Sequence, residues 1–394
     1  MEKEPLPDGR WRSSGALSGA QRNRMMNKQL WSFAALDTLF FKESRPMEAV
    51  GGSELASVFP PPARTLIGAI RTAVGESHKV DWAEYGAGSH PLRDIIGAPD
   101  SLGPLRFTGP YLLSHGERLF PVPCAYLQTA DGQQTRLTPA KSAIECDLGK
   151  VRLPIKMQAD LPAKPLENAF LTFEGLQQFL SGKEIDQSQI RTAATLFAHE
   201  ERLGIGRDNS TRTTGDGLLY QTRHIRPLHA ADLQIGMTVS GLQDPSLPEA
   251  GMVRLGAEGR LAAWQRGAVP ALPVADGSKS GLLLVLLTPA LFAGGWLPDG
   301  FAAHEEESGR VWLGELAGIR LKLISSVVGK PVREGGWDMV RRAPRPLLSY
   351  APGGSCYFCE VVDGDIGHAR SALHGIQLGQ ETEYGRGEIA VGYC

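Results

Sequence analysis

No run of eighteen apolar residues occurs in this 394-residue chain, and the longest apolar stretch, Gly281 to Phe292, is broken by Thr288-Pro289. Such a stretch is too short to cross a bilayer and reads as a buried strand. Cysteines are few and odd in number, five in all, which argues against a disulfide framework and for a reducing cytoplasm. The first residues are polar and charged rather than a secretory leader. An excess of charge of one sign is also lacking: 41 Lys and Arg stand against 43 Asp and Glu. A uniformly basic protein is thereby excluded, so any nucleic-acid surface must be local.

The common signatures of chemistry are missing as well. Cys356-Tyr-Phe-Cys359 matches C-x-x-C, but no second ligand pair follows at zinc spacing, and its flanks read as a strand. Core packing is the expected role of both thiols. The histidines include no H-E-x-x-H, and His304 is followed by three glutamates with no second histidine. Gly277 to Gly281 mimics a nucleophile elbow, yet its central residue is Lys279. Neither phosphate-binding glycine loop of the common nucleotide folds is present. We therefore expect no metal, no cofactor and no catalytic constellation.

What the chain does have is length for two cores, 42% hydrophobic residues to fill them, and many turn formers, with 47 glycines and 27 prolines. Residues 1–28 are polar, rich in Gly, Ser and Arg, and read as a disordered tail; Met25 and Met26 offer alternative starts. From Trp31 the chain alternates as a strand does, and Arg45 to Ser57 reads as a glycine-rich loop. Three prolines, 60 to 62, precede Leu66, Ile67, Ile70 and Val74 at helical spacing, so a helix is expected from near Ala63. Its first-turn amides, with Arg64 and Thr65, would form an anion site. Short strands fill Gly103 to Val151 and Ala231 to Gly259, Glu167 to Leu180 ends in a short helix, and Gly318 to Val328 fits strand or helix. Strands interleaved with a few helices make an α+β chain.

Three segments concentrate the basic and hydrogen-bonding residues. Between Arg202 and Pro227 lie Arg207, Arg212, Arg223 and Arg226, with Asn209, Thr213 and several glycines among them. That composition suits a hairpin tracking a nucleic-acid backbone, and equally a surface hairpin laced by ordinary salt bridges. Lys330 to Arg345 holds Arg333, Arg341, Arg342 and Arg345, opposite in sign to the acidic run 304–307. Near the C-terminus, Gly385-Arg386-Gly387 enters a final strand as a loop whose amides can face phosphate.

Taken in order, WSFAALDTLFF, SRPM, SVFPPPARTLIGAIR, GIGRD…TRT…GLLYQTRHIRP, VRLGAEGR, GKPVREGGWDM…PRPLLSYAPGGSCYF and YGRGEIAVG resemble the RAMP superfamily of CRISPR proteins, specifically the third subunits of type III-B Cmr complexes. The resemblance implies two packed ferredoxin-like (RRM-like) domains with inserted β-hairpins, at 29–230 and 231–394. It further implies a non-catalytic subunit that caps the repeat-derived 5′ handle of the crRNA. The partners it implies are the large Cas10-type subunit and a neighbouring backbone RAMP subunit. Arg64, Thr65, Arg207, Asn209, Arg212, Thr213, Arg223, Gly385, Arg386 and Gly387 are then the expected RNA contacts, and Arg71, Arg333 and Arg345 serve either RNA or a protein interface. The rival readings are a RAMP endoribonuclease processing precursor crRNA, with His224 as its base, a type III-A equivalent cap, and a scaffold that makes no RNA contact.

Overall fold

The computed structural model describes residues 28–43, 54–277, 279–338 and 340–394, with 215–218 described by their backbone alone. The expected tail apart from Lys28, the alternative starts, most of the loop from Arg45, and Ser278 of the GSKSG stretch lie outside the described residues.

Two large sheets, each with its own core, dominate the described residues, several of their strands being continuous buried runs. In the first, strands Gln29–Ala35, Arg106–Ser114, Leu233–Ser240 and Leu261–Gly267 run antiparallel in spatial order fourth, first, third, second. Ala250–Arg254 extends it on one side. The expected helix forms at Ala63–Ser77 and lays Leu66, Ile67, Ile70 and Val74 on this sheet, beside Trp31, Phe33 and Phe107.

The second sheet repeats the same order. Leu282–Leu286, Ile319–Val327, Cys356–Val361 and Ile389–Tyr393 stand fourth, first, third, second, again antiparallel. Gly309–Leu316 and the small hairpin Ile144–Cys146/Gly149–Val151 extend it outward. The apolar run is its fully buried strand, and the ambiguous segment after Gly318 is a strand. Helices Phe173–Leu180 and Ile366–Leu373 complete its core. Cys356 and Cys359 are buried in it, and desolvation pushes both thiols far above their ordinary pKa, so they pack rather than react. Apart from the hairpin 144–151, which joins the second sheet, and Tyr384–Gly385, which joins the first, sheet membership changes over between Gly267 and Leu282 rather than at the expected 230/231, because strands after 231 complete the first sheet.

The C-terminal segment supplies a strand to each sheet. Tyr384–Gly385 pairs in parallel with Phe107–Thr108 of the first, and four residues later the chain enters the second. Between them Glu388 is buried against Arg118, one pair of their atoms 3.2 Å apart, and the guanidinium lies 4.0 Å over Tyr111. Among the described residues no helix is long and apolar enough to cross a membrane, and no cluster of His, Cys, Asp and Glu could hold a metal ion.

Candidate nucleic-acid interface

The arginine-rich segment forms the expected hairpin, with strands Phe197–Arg207 and Thr214–Pro227. Its arginines divide into two groups. At the base, Arg202 and Arg226 lie 2.8 and 3.0 Å from Asp37, and Arg260 lies 3.3 Å from it; Glu200 bridges Arg202 and Arg226 from the other side. Hydrogen bonds from Arg202 to Asp37 and from Arg226 to Glu200 hold both carboxyls below their usual range. These cations are neutralised within the protein. Arg223 lies 3.7 Å from Glu201 and is partly exposed. Toward the tip, Arg207 and Arg212 are exposed and make no ion pair among the described residues. The turn between them is organised by Asp208, whose carboxylate accepts from the amides of Ser210 and Thr211 at 2.7 and 3.1 Å. Thr213 bonds to Thr211 at 2.8 Å, and Asn209 is exposed.

His224 does not reach this surface. It is 1% exposed, held between the hydroxyls of Thr38 and Thr222 at 3.0 and 3.1 Å, and stacked on Phe40. Burial lowers its pKa.

The helix Ala63–Ser77 opens onto a larger feature, a cleft of about 640 Å³. Pro62, the residue before the helix, offers no side-chain cap, and the first turn contains no acidic residue, so the positive end of the helix dipole faces the cleft, whose lining also includes the carboxylates of Asp100 and Asp338. Arg64 and Thr65 lie on its wall, and Arg345 also lines it. Lys42 and Arg341 add two cations, and Trp337, 56% exposed, and Tyr384 add aromatic surface.

The cations here are also of two kinds. Arg64 is 2.7 Å from Glu381 and lies 3.9 Å over the Tyr384 ring; Tyr350 donates to the other Glu381 oxygen at 2.7 Å. Arg345 is 3.0 Å from Asp338, whose carboxylate also accepts the amides of Val340 and Arg341. Lys42 and Arg341 make no close ion pair among the described residues, although the Arg341 charge helps hold the Asp338 carboxyl below its usual range.

Four of the expected contacts turn inward instead. The Arg386 guanidinium is 1% exposed, forked onto Glu334 with one bond at 3.0 Å, and lies 4.6 Å from the Tyr350 ring centre. Gly385 and Gly387 have φ of +93° and +73°, and a Cβ on Gly387 would come within 1.9 Å of the Leu378 carbonyl oxygen. The glycines serve this close backbone approach rather than an open phosphate loop. Arg71 likewise turns inward and donates to Tyr85 Oη at 2.6 Å and the Ala98 carbonyl at 2.5 Å, pinning that loop. Arg333 is exposed on strand Val332–Glu334, outside the cleft lining. Sequence reasoning missed Lys42, Trp337, Arg341 and Tyr384 as cleft residues. Trp337 and Tyr384 sit in the quoted GGWDM and YGRG blocks, which was their only signal; nothing local marks Lys42.

These features define a sheet-rich α+β protein with a basic, aromatic-bearing cleft. Residues 31–394 match the family model described as CRISPR-associated protein (Cas_Cmr3), and the chain belongs to that family. No curated protein sequence matches it. Among solved structures, two of the type III-B Cmr-beta complex bound to cognate target RNA, one also with AMPPnP, align at 15% identity. Their TM-scores are 0.45 and 0.46, covering 84% and 92% of this chain and 86% and 96% of theirs. The Csm3-Csm4 subcomplex of a type III-A interference complex aligns at 10% identity and TM-score 0.38, covering 86% of this chain and 96% of that one.

Proposed function

We propose that this chain is the non-catalytic subunit that caps the 5′ handle of the crRNA in a type III-B Cmr complex, beside the large Cas10-type subunit and a backbone RAMP subunit. The observation that carries the reading is the cleft: four cations, a bare helix N-terminus, an exposed tryptophan and a tyrosine converge on one concave surface. Cations and amides take phosphate oxygens, and aromatic faces take unstacked bases, which is how single-stranded RNA is held. Arg207 and Arg212 at the hairpin tip would extend the contact along the backbone. The repeated fourth-first-third-second strand order, with a helix between the first two strands of one sheet and the last two of the other, supports a pair of ferredoxin-like domains. His224, enclosed by threonines and Phe40, lacks the access a general base needs, which favours capping over cleavage.

The test is binding of the purified chain to labelled RNAs with and without a repeat-derived 5′ handle. Handle-dependent retention of intact RNA is the expected result. Equal affinity for both RNAs would remove the capping role, and shortened RNA would establish the processing enzyme instead.

A further inference from the structure

Glu381, which does not itself line the cleft, holds a residue that does. Arg64 donates to one of its carboxylate oxygens at 2.7 Å, and the Tyr350 hydroxyl donates to the other at 2.7 Å. The three residues differ in their freedom to move. Tyr350 is 3% exposed, on a strand paired with Val332–Glu334, and Ala351 after it exchanges two backbone hydrogen bonds with Ala290. The Arg386 guanidinium, itself forked onto Glu334, packs against the Tyr350 ring. Burial and the bond to Glu381 push the Tyr350 pKa well above its ordinary value, so the phenol keeps its proton and remains a donor. Glu381 is fixed by its backbone: φ is +56°, the Gln380 amide donates to the Leu291 carbonyl at 2.8 Å, and the Tyr384 amide donates to the Glu381 carbonyl at 2.9 Å. Arg64 is held less tightly. Its side chain is 31% exposed and leans on the Tyr384 ring.

We infer that Arg64 is a latched cation, which turns from Glu381 to an RNA phosphate on binding while Tyr350 holds the carboxylate it leaves. The inference rests on the cleft being the RNA site. Phosphate and Glu381 compete for one guanidinium, so the ion pair restrains binding until a phosphate displaces it. The exchange requires that the vacated carboxylate keep a donor, because the Glu381 side chain is only 19% exposed and an unpaired carboxylate there is unfavourable. Tyr350 supplies that donor from the interior and, pinned by its strand and by Arg386, does not follow Arg64. The two residues therefore act with opposite sign: Glu381 opposes RNA binding, and Tyr350 favours it.

The test is fluorescence anisotropy of one labelled handle RNA with the full-length chain and with Glu381→Gln, Tyr350→Phe and Arg64→Ala, the first two also combined with Arg64→Ala. Glu381→Gln should tighten binding roughly two- to fivefold, as for release of a partly exposed ion pair. Tyr350→Phe should weaken it about three- to tenfold, as for loss of one hydrogen bond. Both effects should vanish when Arg64 is absent. A folding defect weakens binding whatever its source, so the tightening cannot arise from one. Weaker or unchanged binding by Glu381→Gln, or parental binding by Tyr350→Phe, would overturn the inference. So would tightening that persists without Arg64, since removal of a negative charge would then be its whole cause. If RNA lacking the handle binds the parent equally well, the capping role falls while the same pattern among the variants upholds the exchange; a parent that binds no RNA overturns both.

Discussion

Lys42 and Arg341 provide the sharpest test of the cleft, because they are the two of its cations that make no close ion pair among the described residues. A cation already paired to a carboxylate must exchange one partner for another when phosphate arrives, whereas Lys42 has no such partner to give up and Arg341 only the longer-range attraction of Asp338. Each phosphate neutralised on a single strand contributes about 0.7 to the slope of log affinity against log salt, so removing both should flatten it by about 1.4. Between about 50 and about 200 mM salt, the parent should then lose roughly sevenfold more affinity than Lys42→Ala/Arg341→Ala. Fluorescence anisotropy of a labelled handle RNA across a salt series reads this directly. The matched control is Arg202→Ala/Arg226→Ala at the hairpin base, where Asp37 and Glu200 already compensate the charge; its slope should stay with the parent. Parallel lines for the Lys42/Arg341 variant and the parent would refute the placement of RNA in the cleft. A flattened slope in the hairpin-base control would refute the division into compensated and available cations.

Other outcomes follow from the same geometry. Arg386→Ala leaves Glu334 buried without its partner and should destabilise the protein by about 3–5 kcal/mol in urea unfolding, far more than a lost surface contact; a drop in RNA affinity with unchanged stability would contradict its interior role. Trp337→Ala should weaken RNA binding by about 1–3 kcal/mol, the contribution of one stacked base, with Trp337→Phe retaining most of it. Burial lowers the His224 pKa in the folded state, so the unfolded chain takes up its proton first as pH falls. The stability associated with a neutral His224 is therefore fully present above about pH 6.5 and declines as pH drops toward the folded value. The parent's urea midpoint should fall over that window, and His224→Gln should flatten the decline. Gly387→Ala should fail to accumulate as folded protein, because neither its φ nor the nearby Leu378 carbonyl admits a Cβ.

The secondary structure was legible wherever local chemistry decided it. The proline triplet and the spacing of Leu66, Ile67, Ile70 and Val74 located the long helix, and the apolar run located a central strand. The cleft was legible only in part. Arg64, Thr65 and Arg345 were expected and do meet there, but Lys42 and Tyr384 reach it from segments hundreds of residues apart, which no local pattern encodes. Arg386 and Arg71 misled for a related reason. An arginine beside glycines or on a helix has the same local signature whether its guanidinium meets phosphate or a buried acceptor, and Glu334, Tyr85 and Ala98 become visible only in three dimensions. The sheet changeover was misplaced because Leu233–Ser240 resembles the start of a second core, while its pairing with Gln29–Ala35 is a long-range fact.

The ten residues from Tyr384 to Tyr393 supply a strand to each sheet, and this has a consequence for the order of assembly. Neither sheet can be completed while the chain emerging from the ribosome stops short of them, however early its other strands have paired. Until then each sheet lacks its outermost strand. Over that interval Phe107 and the Leu282–Leu286 strand lack a neighbour, leaving two apolar edges open to wrong partners at once. A chain cut short of them would therefore leave both sheets with an open edge, not one finished and one unfinished.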